Sequence, residues 1–129
     1  MTVLRVQNSS LNTIHGNVKI DSNNMVSLCG PSTIDGDVVI LNTSPSDIVL
    51  GCDFGRGQSG FSIGGSVSIT NNNLFGARVG LTIVQNTIGK NMSVTNNLGA
   101  GTKQFTNNTV MGNLTCSGNQ QPITGQCSQ

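Results

Sequence analysis

The chain has 129 residues, 9% of them charged, a formal net charge of +1, and no Glu, Trp or Tyr. That length suits one domain with a modest core, and so little charge argues against helices, whose exposed faces are normally filled with Glu, Lys and Gln. Six Lys or Arg are scattered among five Asp, so neither nucleic acid nor insertion into or onto an acidic membrane is expected, since both need clustered basic charge or a long apolar run. Met1 to Ser10 lacks the charged-then-apolar layout of a signal peptide. The expectation is a mature segment from which a leader has been removed, or a chain that is not exported.

Taken in chain order, the first segment offers Val3, Leu4, Val6 and Leu11 as apolar cover. Five self-similar starts follow: Ile14-His15-Gly16-Asn17-Val18-Lys19-Ile20, Ile34-Asp35-Gly36-Asp37-Val38-Val39-Ile40, Ile63-Gly64-Gly65-Ser66-Val67-Ser68-Ile69, Ile88-Gly89-Lys90-Asn91-Met92-Ser93-Val94 and Val110-Met111-Gly112-Asn113-Leu114-Thr115-Cys116. Their separations of 20, 29, 25 and 22 residues fit one turn each of a β-solenoid. Apolar residues recur at the first, fifth and seventh positions, so the last three alternate in, out, in. The third position is Gly in four of the five, which suits a bend where backbone meets backbone, and Lys90 predicts a different bend in the fourth coil.

An Asn-rich turn follows each strand: Asn23 and Asn24, Asn42, Asn71 to Asn73, Asn96 and Asn97, and Asn119. Asn tolerates left-handed backbone, and its amide can stack on the equivalent amide of the next coil. A second strand comes next, as in Val26-Ser27-Leu28, Ile48-Val49-Leu50 and Val79-Gly80-Leu81-Thr82-Ile83, and Phe105 falls where Ile83 falls one coil earlier. Thr13, Thr33, Ser62, Thr87 and Thr109 close the coils. The predicted fold is therefore all-β: one parallel β-helix of about five coils over residues 1–129, right-handed by the preference of parallel crossovers. At the usual rung spacing it would be about 24 Å long.

The longest coil carries the Gly-rich stretch 52–61, read as a protruding loop with Asp53, Phe54, Arg56 and Phe61 as candidate contacts and the two Phe anchoring its base. Cys29, Cys52, Cys116 and Cys127 are spaced 23, 64 and 11 apart. An even set in a short chain fits two disulfides and an oxidising compartment, and matches no zinc pattern. Cys29 and Cys52 follow the second-strand residues Leu28 and Leu50, so they are expected to pair across adjacent rungs. No metal ligand set and no cofactor site is predicted.

For chemistry, Asp35 and Asp37 lie two apart, His15 aligns with Asp35, and Arg56 sits in the loop. A hydrolase needs two carboxylates at a set separation, and a lyase needs calcium with a basic residue. Neither set is complete, so no catalytic residue is assigned. A sharper pattern is the outward Ser68 and Thr70, Ser93 and Thr95, Thr115 and Ser117, a hydroxyl pair in three successive coils. Such an array spans about 7 Å along each strand and about 4.8 Å between coils. It resembles the Thr-x-Thr ladders of ice-binding solenoids. Five Asn-x-Ser/Thr sequons, at Asn8, Asn42, Asn91, Asn107 and Asn113, matter only in a eukaryotic source.

The ending Gly112-Asn113-Leu114-Thr115-Cys116-Ser117-Gly118-Asn119, with Pro122 and Gly125-Gln126-Cys127, resembles that of small secreted actinobacterial β-helix proteins, which also carry Ile-x-Gly-Asn-Val-x-Val coils. The resemblance implies export, a Cys116 to Cys127 closure over residues 116–127, and no established activity. The expected role is a secreted, non-enzymatic structural or surface-interaction module. Its expected partners are a second copy, by end-to-end or side-by-side association, or an extracellular surface or polysaccharide. The alternatives are an ice- or surface-binding solenoid and a small polysaccharide-active β-helix.

Overall fold

The molecule is represented by a computed structural model that describes residues 3–7, 13–21, 25–29, 32–44, 47–51, 60–74, 80–99, 101–120 and 122–127. Strict alternation sets the local structure. In Val38–Leu41, Val38 and Ile40 are fully buried while Val39 and Leu41 are half covered, and Val67–Thr70 and Met92–Thr95 repeat the pattern. A strand with one dry face must find a neighbour to bury it, and here each coil supplies one to the next.

Among the described residues sixteen strands form five triplets and one further strand. The first coil holds β1 (Val3–Gln7), β2 (Thr13–Ile14) and β3 (Val18–Asp21); the second holds β4 (Met25–Cys29), β5 (Thr33–Ile34) and β6 (Val38–Leu41). The third holds β7 (Ile48–Leu50), β8 (Ser62–Ile63) and β9 (Val67–Thr70). The fourth holds β10 (Leu81–Val84), β11 (Thr87–Ile88) and β12 (Met92–Thr95). The fifth holds β13 (Lys103–Thr106), β14 (Thr109–Val110) and β15 (Leu114–Ser117), and β16 (Ile123–Gly125) begins one more rung. Sheet I stacks β1-β4-β7-β10-β13-β16, sheet II stacks β2-β5-β8-β11-β14, and sheet III stacks β3-β6-β9-β12-β15, so four full turns separate the first and last rungs of sheets II and III. Every pairing is parallel. The chain is an all-β parallel solenoid.

The register matches the repeat residue for residue: Ile14, Ile34, Ile63, Ile88 and Val110 stack in sheet II, and Val18, Val38, Val67, Met92 and Leu114 in sheet III. Each seven-residue start runs from the second residue of a two-residue strand, through a three-residue bend, into the first three residues of a four-residue strand. Phe105 stacks on Ile83 and is fully buried, as its position predicted.

Three expectations change. Val3–Gln7 does not merely cover the first coil: it is a strand, paired Val3 to Met25 through Gln7 to Cys29, and so extends sheet I by a rung. Gly60 and Phe61, placed in the protruding loop, belong to the rod, because Gly60 donates its amide to the Gln85 carbonyl and Phe61 lies in the core. Residues 52–59, including Cys52, Asp53, Phe54 and Arg56, lie outside the described residues. The closing segment 116–127 contains β16 besides the tether.

The bend at Lys90 is also not different in its backbone pairing. Lys90 donates to the Gly65 carbonyl just as Gly36 does to Gly16, Gly65 to Gly36, and Gly112 to Lys90. What differs is the residue below. A Cβ on Gly36, Gly65 or Gly112 would collide with the Oδ1 of Asn17, Asp37 or Asn91. Those oxygens accept the amides of Asp37, Ser66 and Asn113. Beneath Lys90 the acceptor is the shorter Ser66, whose Oγ takes the Asn91 amide at 3.3 Å. Glycine is thus tied to a carboxamide or carboxylate one coil below, and the small hydroxyl leaves room for a side chain.

The corners obey a second rule. Asn42, Asn71, Asn96 and Asn107 have φ between 55° and 57°, a left-handed turn that Asn tolerates better than other non-glycine residues. Beside them, Asn72, Asn97 and Asn119 form a column in which each Nδ2 reaches the next Oδ1 at 2.8 Å. The same Nδ2 groups cap the carbonyls of Ile40, Ile69 and Val94. Asn86, Asn108 and Gln126 repeat this at another corner, capping Leu50 and Ile83. These amides satisfy backbone groups that leave the ladders at each turn and are shut off from water.

Candidate functional site

The most regular solvent-facing feature is on sheet III. Ser68, Ser93 and Thr115 stack in one column, and Thr70, Thr95 and Ser117 in the next. Both columns point outward because their strand neighbours Ile69 and Val94 point into the core, with Cys116 packed against it. The hydroxyls communicate along a column, with Thr70 Oγ1 and Thr95 Oγ1 2.9 Å apart. The pattern stops at the second coil, where Val39 and Leu41 take the same places, and gives way to Lys19 and Asp21 in the first.

The coil-closing residues turn out to be a further column. Thr13, Thr33, Ser62, Thr87 and Thr109 pair rung to rung along the whole of sheet II, and all but Thr33 are exposed. Between the two sheets runs the exposed line of Asn17, Asp37, Asn91 and Asn113, interrupted by half-buried Ser66. In the fourth coil an approaching ligand therefore meets Thr87, Asn91, Ser93 and Thr95 in succession. The closing hydroxyls were visible in the sequence, but their outward stacking was not, because a two-residue strand shows no alternation to read.

The acidic candidates have separate partners. Asp35 Oδ2 is 2.6 Å from His15 Nδ1 on the neighbouring rung, and both side chains are exposed. Asp37 is engaged elsewhere, with Oδ1 on the Ser66 amide. The two carboxylates are thus held by different neighbours. Among the described residues no group of three or more His, Cys, Asp or Glu is arranged to hold a metal ion, and no helix is long and apolar enough to cross a membrane. Of the loop candidates only Phe61 is described; it is buried, with its amide bonded to Asn86 Oδ1, and is not available to a ligand.

Cys116 and Cys127 form a disulfide with Cα atoms 5.7 Å apart. The expected Cys29 to Cys52 pairing involves Cys52, which lies outside the described residues. The bond that is seen is consistent with an oxidising compartment.

One core residue escaped the sequence reading. Lys103 stacks on Leu81 and is fully buried, its Nζ donating to the carbonyls of Gly99 at 2.8 Å and Gly101 at 3.0 Å. Burial desolvates the ammonium and pulls its pKa below the ordinary lysine value. A Lys at that position reads as outward; its four-carbon stem nonetheless continues the apolar column of Val26, Ile48 and Leu81 while a tight turn of carbonyls receives the charge.

No family model, no curated protein and no solved structure matches this chain.

Proposed function

We propose that the chain is a secreted, non-enzymatic interaction module whose binding surface is the hydroxyl-bearing face of sheets II and III, and whose ligand is an extended, hydroxyl-rich surface such as an extracellular polysaccharide. The observation that carries this reading is the in-register stacking of Ser68, Ser93 and Thr115 beside Thr70, Thr95 and Ser117. A hydroxyl both donates and accepts. One such contact is weak, but a rigid row of them engages a repeating ligand many times over. The disulfide supports export, and the engagement of Asp35 by His15 and of Asp37 by a backbone amide supports binding over hydrolysis.

Depletion from solution by insoluble polysaccharides tests the proposal, with the parent compared against a Ser93→Lys, Thr95→Lys variant. Binding should fall about tenfold or more in the variant, the combined loss of several contacts worth roughly 1 kcal/mol each, while its melting temperature stays within a few degrees. Equal binding by both proteins removes this face from consideration. The same grid favours a second reading, adsorption to ice, which thermal hysteresis of the parent lost in the variant would establish in place of the first.

A further inference from the structure

We propose that two copies of this chain associate head to head through their first coils, with β3 pairing antiparallel to the β3 of the second copy about Ile20. This does not depend on the hydroxyl face. β1, β2 and β3 are terminal strands of their sheets, so among the described residues each has an edge of backbone amides and carbonyls with no strand against it. Such an edge is a template for another strand. The core is also open there: Ile14 is 39% exposed, whereas its column partners Ile34, Ile63 and Ile88 are at 1% or less.

The opposite end is finished differently. Asn108 passes its hydrogen bonds to Gln126 one rung on. The next residue, Cys127, is 3% exposed, lies in the core cluster and joins Cys116, which packs against it. A head-to-tail stack would have to displace this covering, while a head-to-head pair leaves it intact. The first contact is isologous and closes at two copies; the second would run on into a fibre.

Charge selects the register. Lys19 and Asp21 are the outward residues of β3, and the residues stacked above them are uncharged: Val39 and Leu41, then Ser or Thr in every later coil. In an antiparallel pair centred on Ile20, Lys19 faces Asp21 of the second copy, and Asp21 faces its Lys19. Opposite charges directly across a sheet stabilise it, and like charges do the reverse. Within one chain Lys19 Nζ is 3.9 Å from Asp21 Oδ2, and Asp21 Oδ1 accepts from Asn42 Nδ2 at 3.0 Å, so the carboxylate is held on the edge.

Sedimentation of the full chain across a wide concentration range provides the test, at low and high salt, with Lys19→Asp, Asp21→Lys and the double exchange. The parent should form dimers and nothing larger. Each single variant, which sets two like-charge pairs across the junction, should weaken the dimer about tenfold, and the double exchange should restore it. Melting curves of the three variants separate loss of pairing from loss of folding. A monomer at every concentration would mean that Lys19 and Asp21 serve to repel edge pairing, and would overturn the proposal. So would open-ended growth, a dimer indifferent to the single changes, or a double exchange no better than either one.

Discussion

The C-terminal coils and the N-terminal coils share one register, yet their corners are filled differently. From the third coil onward Asn72, Asn97 and Asn119 make an unbroken amide column. One coil earlier the same place holds Thr43, whose Oγ1 is buried with no hydrogen-bond partner among the described residues. The second column, Asn86 to Asn108 to Gln126, starts only in the fourth coil; Phe61 and Ser32 occupy the corresponding places below it. The C-terminal side also gains a disulfide, whereas Ile14 at the other side stays partly open. Backbone ladders alone thus specify a solenoid, and the corners decide how firmly each coil is held.

The strongest way to break this contrast is Asn97→Leu. It strips the cap from the Ile69 carbonyl and the Oδ1 acceptor from the backbone amide and Nδ2 of Asn72, all buried. A loss of about 4 kcal/mol is expected, because unsatisfied buried polar groups cost roughly 1–3 kcal/mol each. Chemical denaturation reads it directly, and a change under 1 kcal/mol would mean that the column is ornamental.

Removing the tether comes next. Cys116→Ser with Cys127→Ser releases an 11-residue separation and exposes the fifth coil, for an expected loss of about 3 kcal/mol. Proteolysis should then begin near β16. Cleavage still confined to the N-terminal coils would show that the disulfide is not what distinguishes the two sides.

A substitution that should sharpen the comparison by gain is Thr43→Asn. It replaces a buried unpaired hydroxyl with an amide in line with Asn72 Oδ1, extending the column by one coil. Stability should rise by about 1 kcal/mol. Unchanged or lower stability would indicate that the second coil's corner is shaped for Thr.

The smallest effect is a pH dependence. Folded Lys103 releases its proton at lower pH than the unfolded chain does, so between the two values the unfolded state binds more protons and stability rises with pH. The desolvation penalty is fully present below the lowered value and fades towards the ordinary lysine range. Lys103→Met should therefore flatten the alkaline rise in melting temperature, and an identical slope in the variant would assign the rise to other groups.

How much of this was legible follows from what repeats. The five starts were read in register because Ile, Gly and the alternating pair recur at fixed offsets, and Phe105 was placed in the core on the same ground. Residue types that break self-similarity hid the rest. Gln126 ends an Asn column, Lys103 stands in a column of Val, Ile and Leu, and Val3-Leu4-Arg5-Val6 lacks clean alternation, so β1 looked like cover. The hydroxyl pairs of sheet III were found from spacing, while the sheet II column needed the three-dimensional stacking to show that it faces outward.

Amide hydrogen exchange along the chain, followed by mass spectrometry far below the concentration of any self-association, tests the contrast most directly. The account predicts that β9 to β13 exchange slowest, that β1 to β3 exchange first, and that β14 and β15 lose their lead over β1 to β3 when Cys116 and Cys127 are both replaced by Ser. Exchange that begins at β14 and β15 with the disulfide intact, or that is uniform from β1 to β16, would contradict it.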